Sequence, residues 1–381
     1  MPNFTGQLNS NEIFNVLFNM IISQQVFTDN VNSDNRELVS RAKVDGTLYG
    51  DTKLYISTDV VRTHEWGNDG EAQNLLKLDR PTDPDVQAIV INKFRQIPLT
   101  TDNYLSKRAF MDEGTFIQFN STVIGWLSDT KLIFDETLYN SFIGTNETSI
   151  GLQEQTVELP SIAGLSTMTE KNQGYQLRSL LISRAIENLG DDLAKPNRKF
   201  NDYGNLRKIG KQNLTIVINS KYANEFEKID IKGIFHNENI VPDATKLHAD
   251  YFGTINTTAG TAPTPNTNVY SLIEVDFNVD GNGNLLPMND ANYDKAKHIF
   301  PGDLWPAGVA YAAGDTYTRD DTIICKVIGG RLPPLMSAFQ VETVFFNARS
   351  LTDTHFLTWG YNELEHLHNY PYITIRETNA E

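Results

Sequence analysis

The sequence is short of cysteine, short of basic charge and without any long apolar run. Its one cysteine, Cys325, excludes an internal disulfide and any zinc site assembled from several cysteines of one chain. Lys and Arg total 32 against 48 for Asp and Glu, a formal charge of −16, so a protein that coats nucleic acid by counterion release is disfavoured. No Lys or Arg occurs before Arg36, which leaves the start without the positive region of a secretory signal. The most apolar stretch near it, residues 13–27, is broken by Asn15, Asn19, Ser23, Gln24 and Gln25, too often for a membrane span.

What remains is an ordinary globular composition over 381 residues, room for one to three folded units. In residues 13–24 the positions Ile13, Leu17, Met20 and Ile21 recur at helical spacing, an apolar face that docks on its own domain or on a neighbouring subunit. Residues 29–43 read as a polar linker. Residues 44–61 alternate, with Val44, Leu48, Leu54, Ile56 and Val60 around Gly50-Asp51, and predict a hairpin turning there. A Gly- and Pro-rich loop over 64–85 precedes a strand over 86–99, closed by Pro98 and cap-like Thr100, Thr101 and Asp102.

The period then changes from two to 3.6. Phe116, Phe119, Val123 and Leu127 mark one helix. Phe134, Leu138 and Phe142 mark a second, starting near Ser128 or Asp129 and ending at Gly144. A third runs from about 174 to 189 with Gly190 as its C-cap. Beyond it strands are predicted over 214–219, 229–235, 271–277, 322–328 and 339–346, with a Thr/Asn/Pro surface loop over 254–269. The mixture lacks a βαβ rhythm, and the fold class is α+β.

Motifs for chemistry are thin. Asp276, Asn278, Asp280 and Gly281 fit the first positions of a calcium loop, but Pro287 stands where the bidentate carboxylate belongs, and Asp280-Gly281 reads as a tight turn. GNLRKIGK over 204–211 has the wrong spacing for a phosphate loop. Around it Lys195, Arg198, Lys199, Arg207, Lys208 and Lys211 form a basic cluster in an acidic chain, either a solvated loop or a contact for an acidic partner or DNA through Arg198, Lys199, Arg207 and Lys208. In ELEHLH, His366 and His368 share a face on a strand as two zinc ligands would, with no third ligand at a recognisable spacing. Cys325 sits in TIICKV as a buried, inert thiol. Trp126 and Trp359 read as packing residues, while Trp66 and Trp305 leave a surface-binding role open. No cofactor or metal is expected.

Three stretches, taken in order, carry a resemblance to a known family. Residues 87–104, QAIVINKFRQIPLTTDNY, lead a strand into a long helix. The helix ending at Gly190 passes through the basic loop into LTIVINSKYANEF. Residues 329–362, GGRLPPLMSAFQVETVFFNARSLTDTHFLTWGYN, follow near the end. The chain thus resembles the major capsid proteins of tailed bacteriophages, which share the Hong Kong 97 type fold. The resemblance implies an N-terminal arm over 1–43, an extended hairpin loop over 44–78, a peripheral domain of 79–210 and 311–381 with a long spine helix, and a β-rich axial domain over 211–310.

It also implies a non-enzymatic subunit of pentamers and hexamers in an icosahedral shell around double-stranded DNA. Such a subunit is assembled in the host cytoplasm and located in the virion, without membrane association. Separate scaffolding, portal or decoration proteins are expected partners. On that reading Leu17, Ile21, Tyr49, Tyr55 and Trp66 are the expected subunit contacts. The competing readings are another virion component, such as a jelly-roll coat, a surface-binding protein, and a metal-dependent hydrolase using Glu365, His366 and His368 with a distant Asp.

Overall fold

A computed structural model describes residues 36–45, 52–61, 63, 80–102, 113–146, 153–227, 244–261, 263–276 and 298–379. Helix α1 (Arg36–Ala42) runs into strand β1 (Lys43–Asp45), followed by β2 (Thr52–Ser57) and the long β3 (Asp85–Asp102). Next come α2 (Glu113–Gly144), β4 (Thr145–Asn146), β5 (Glu154–Leu159) and α3 (Met168–Ala194). The middle holds β6 (Leu214–Asn219), α4 (Ser220–Glu227), β7 (Ala244–Leu247) and β8 (Gly253–Ile255). The short strands β9 (Val269–Ser271), β10 (Val275–Asp276), β11 (His298–Ile299) and β12 (Thr316–Arg319) follow. Strands β13 (Ile323–Gly329), β14 (Leu335–Asn347), β15 (Thr352–Asn362) and β16 (Tyr372–Asn379) complete the described chain.

Two five-stranded sheets carry the fold. The long sheet has the order β1-β14-β15-β3-β2, and the core sheet the order β5-β16-β13-β6-β7. A four-stranded sheet, β4-β8-β12-β9, and the pair β10-β11 lie beside them. The core sheet draws β5, β13 and β16 from the segments expected to be peripheral and β6 and β7 from the segment expected to be axial.

Strand β6, LTIVIN, is buried at every position, the mark of a strand covered on both faces. Its Ile216 and Ile218 meet Ile182, Ile186 and Leu189 of α3, while Val217 joins Leu38, Tyr139 and Ile143 from α1 and α2 on the other face. Further along α2, Leu127 and Phe134 pack on Leu357 and Trp359 of β15. Helix α2 thus ties the long sheet to the core sheet. Burying a side chain such as Phe134 stabilises by about 1.5–3 kcal/mol.

Five sequence expectations need correction. The polar linker expected over 29–43 contains α1, whose Leu38, Val39 and Ala42 are buried with Tyr139, Ile143 and Val217, because three apolar residues on one face suffice to dock a short helix. The two helices expected around Ser128 and Asp129 are one helix of 32 residues, because nothing between them breaks it. Ser128 faces solvent, and Thr130 Oγ1 donates back to the Trp126 carbonyl at 2.7 Å. Helix α3 starts earlier, at a capping box in which Thr167 and Glu170 satisfy each other's backbone N–H groups, and it runs through Gly190 to an extended Lys195 ahead of Pro196. Strand β3 continues through Pro98 to Asp102, because β2 covers only its first residues and Pro98 lies on an open edge, where a missing N–H costs nothing. Trp126, expected to pack, is exposed.

Gly144 does end α2, but through close approach. A Cβ there would lie 2.0 Å from the Tyr251 carbonyl oxygen. Gly144→Ala is expected to cost about 1–3 kcal/mol by overpacking, read as a lower urea midpoint with an unchanged far-ultraviolet spectrum.

Candidate assembly surface

The turn expected at Gly50-Asp51, with the rest of residues 46–51, lies outside the described residues, and the two flanking strands join the long sheet separately. β1 joins the long sheet parallel to β14, with Val44 opposite Met336, and β2 lies antiparallel to β3, Leu54 opposite Ala88 and Ile56 opposite Val86. Both arms alternate, and alternation does not name a partner. The result is a two-stranded ribbon on the edge of the long sheet.

Its two faces are unlike. Inward, Tyr55 packs with Ile89, Ile91, Met336 and Leu367. Burial raises the Tyr55 phenol above its ordinary pKa. Outward, Leu54 and Ile56 are 59% and 65% exposed, with Val86 and Val90 exposed on the same face of β3. An uncovered apolar edge of this kind is a liability in a free monomer. A second exposed apolar group, Val344, Phe345 and Phe346 near the end of β14 with Leu351 in the following turn, lies at the other end of the sheet. That end pairs through β15 with residues 99–102 of β3, whereas the ribbon pairs with residues 85–90, a separation of roughly 40 Å at strand rise.

The base of the ribbon is held by the loop carrying the basic cluster. Arg198 pairs with Asp59 at 2.6 Å, and the Leu206 and Val60 amides donate to the same carboxylate at 2.9 and 2.8 Å. Arg207 donates to the Thr58 carbonyl and to Asn369, and Asn205 donates to Asp85. Arg198 and Arg207 are therefore engaged within the chain. Lys199 and Lys208 are exposed, with no ion pair among the described residues.

The Leu206 amide, followed by Arg198 and the Val60 amide, holds the Asp59 carboxyl down at about 2. Because this folded value lies below the ordinary 3.8, the tie is fully present above about pH 4 and is lost as pH falls toward 2. Asp59→Ala is expected to speed hydrogen exchange in residues 52–61 and 204–207 at neutral pH and leave β6 and β13 protected. Unchanged exchange at the ribbon base would remove this role.

Beneath the same loop Asp202 meets ELEHLH. His366 Nε2 and His368 Nδ1 each lie 2.7 Å from Asp202 Oδ2. Glu365, named with the two histidines in the hydrolase reading, reaches the far nitrogen of His368 at 2.8 Å, and the third converging ligand atom comes from Asp202. Gln153 donates to the other Asp202 oxygen at 2.9 Å, and the Asp202 amide donates to the His368 carbonyl at 2.8 Å. Burial opposes ionisation of Asp202, but hydrogen bonds from both imidazoles outweigh it and leave the carboxyl lowered. Burial likewise opposes charge on His368, but Asp202 and Glu365 leave its pKa raised.

Cys325 is fully buried, and burial pushes its thiol up to about 12, as its apolar strand predicted. Trp359 is buried and Trp305 donates to the Val309 carbonyl at 3.0 Å. Leu17, Ile21, Tyr49, Trp66, the calcium-like segment from Asn278 onward and the strand expected over 229–235 lie outside the described residues. No helix among the described residues is long and apolar enough to cross a membrane.

These features define an α+β protein whose described residues expose two unlike apolar surfaces. No protein-family model matches the sequence, and no curated protein matches it. Solved structures do. A chain from the capsid structure of Staphylococcus phage Andhra aligns at 11% identity with a TM-score of 0.59, covering 99% of this chain and 88% of that one. A chain from the structure of head fiber and inner core protein gp22 of native bacteriophage P68 aligns at 9% identity with a TM-score of 0.55, covering 98% and 90%. The chain has the fold found in tailed-phage capsids.

Proposed function

We propose that this chain is the major capsid protein of a tailed bacteriophage, a structural subunit that self-assembles into pentamers and hexamers of an icosahedral shell around DNA. The observation that carries the reading is an end-to-end fold likeness to a phage capsid chain in a molecule with two separate apolar surfaces. Different surfaces on one subunit make heterologous contacts, which close into rings, and rings tile a shell.

The β2–β3 ribbon is the extended loop of this reading, with Leu54 and Ile56 reaching a neighbouring copy and Tyr55 stiffening the ribbon from behind. Leu17, Ile21, Tyr49 and Trp66 are further subunit contacts. The net charge of −16 keeps packaged DNA from adhering to the wall, while Lys199 and Lys208 supply local contact with an acidic partner or DNA. Scaffolding, portal and decoration proteins would be separate chains.

Negative-stain microscopy of the purified or co-expressed protein tests the proposal, with closed particles expected. A monodisperse monomer at high concentration, with and without scaffold, would sink it.

A further inference from the structure

We infer that Asp202, His366 and His368 form a binding site for one zinc ion, which fastens the loop under the ribbon base to the segment between β15 and β16. The inference rests on these residues alone and does not depend on a shell role. Two imidazoles and one carboxylate are the donor set of three-ligand zinc sites, with a water completing the tetrahedron.

Three features make this a built site. Asp202 Oδ2, His366 Nε2 and His368 Nδ1 converge within 4.8 Å of one another, and the carboxylate oxygen lies 2.7 Å from each nitrogen. Zinc–ligand bonds of about 2.0–2.1 Å set tetrahedral ligand separations of roughly 3.3 Å, so an outward shift of about half an ångström admits the ion.

The outer partners are also in place. Glu365 accepts from His368 Nε2 at 2.8 Å, which leaves Nδ1 as the nitrogen for the metal, the usual carboxylate–histidine–zinc arrangement. Gln153 fixes the second oxygen of Asp202. The rings are braced as well: His366 is buried and stacks on Tyr372 with centroids 5.6 Å apart, and His368 meets the edge of Tyr203 at 5.8 Å. Asp202 is 164 residues from His366 in the chain, so an ion here cross-links distant segments as a staple does.

The connection to the ribbon is short. Asn205, three residues beyond Asp202, holds Asp85, and Asn369, next to His368, holds Arg207, which in turn holds the Thr58 carbonyl. Zinc binding would therefore reduce the motion of the ribbon base.

The test uses the full chain, stripped with chelator and titrated with zinc, with cobalt as a spectroscopic stand-in. One equivalent is expected to bind, with the intense visible absorption of tetrahedral cobalt and slower hydrogen exchange in residues 201–206. Asp202→Asn and His368→Gln are expected to lower affinity at least about 100-fold, and Glu365→Gln roughly 10–100-fold. Circular dichroism checks that each variant folds. If a variant does not, X-ray absorption of the zinc-loaded wild type decides, with two imidazoles and one carboxylate expected. Absence of saturable one-to-one binding, equal affinity in folded Asp202→Asn and His368→Gln, or a different ligand set would overturn the assignment.

Discussion

Leu54→Asp combined with Ile56→Asp is expected to abolish particle formation and leave folded, soluble subunits. Both side chains face solvent in the single chain, so substituting them removes little from its own stability, typically within about 0.5 kcal/mol. Against a neighbour the same change loses the burial of two large apolar side chains, about 1.5–3 kcal/mol each, before any cost of desolvating two carboxylates. At 1.4 kcal/mol per decade that is roughly 10²–10⁴ in one contact, and each subunit of a shell depends on several contacts at once. Tyr55→Ala should act through a different route. It removes a ring packed on Ile89, Ile91, Met336 and Leu367, lowering subunit stability as well as assembly. Microscopy and sedimentation read assembly, and urea unfolding reads the subunit. Normal particles from the double aspartate variant at wild-type concentration would exclude the ribbon face as a contact.

Where a segment's burial is decided by its own pattern, the fold was readable from sequence. β6 and β13 are buried at every position because helices cover both sides of the core sheet, and they fall where their largely apolar pattern places them, Lys326 being the exception in β13. α3 falls where a helix was expected, but the inward stripe of Leu177, Leu180, Leu181, Ala185 and Leu189 read from its sequence is only partly right. Leu177 and Leu180 are exposed and Ile182, Ile186, Leu189 and Leu193 are buried, and the helix starts earlier, at the capping box of Thr167-Met168-Thr169-Glu170. Pairing partners were another matter. Nothing in the alternation of residues 44–57 says that β1 joins β14 or that β2 joins β3, since a period of two names a face and not a partner.

The side-chain clusters show the same limit. His366 and His368 declared themselves by spacing, but Asp202 comes from a loop whose approach depends on where α3 ends and β15 turns. Arg198 and Arg207 looked like free charge because their partners, Asp59, the Thr58 carbonyl and Asn369, lie about 140 to 160 positions away in sequence, beyond any local window. Charge counted in a window overstates what is left for a partner when distant segments fold back onto it.

Arg178 is the strongest instance of such a hidden partner, and Glu377→Ala is expected to destabilise the subunit by about 2–3 kcal/mol. The guanidinium leaves α3 and grips Glu377 of β16 at 2.9 and 3.1 Å, while its Nε holds Glu225 of α4 at 3.1 Å and its Nη1 donates to the Pro160 carbonyl. Tyr222, fully buried, donates its hydroxyl to the same Glu377 carboxylate. Both ends of the pair are largely out of water, at 7% and 13% side-chain exposure, so removing the acid leaves the guanidinium with only Glu225 and the Pro160 carbonyl, and the Tyr222 hydroxyl with only the Asp321 carbonyl. Burial opposes charge on Glu377, but Arg178 and Tyr222 outweigh it and leave the carboxyl below its ordinary 4.5. The pair's contribution is therefore complete above about pH 4.5 and declines as pH falls through the lowered folded value. Glu377→Gln should flatten that acid limb as well as lower stability at neutral pH. A loss of a few kcal/mol is a large share of a domain's usual 5–15, so much of the variant is expected to be insoluble at 37 °C. A Glu377→Ala protein with a wild-type urea midpoint at pH 7, or a Glu377→Gln protein with an unaltered acid limb, would show that β16 is held by its ladder to β13 and β5 and not by this pair.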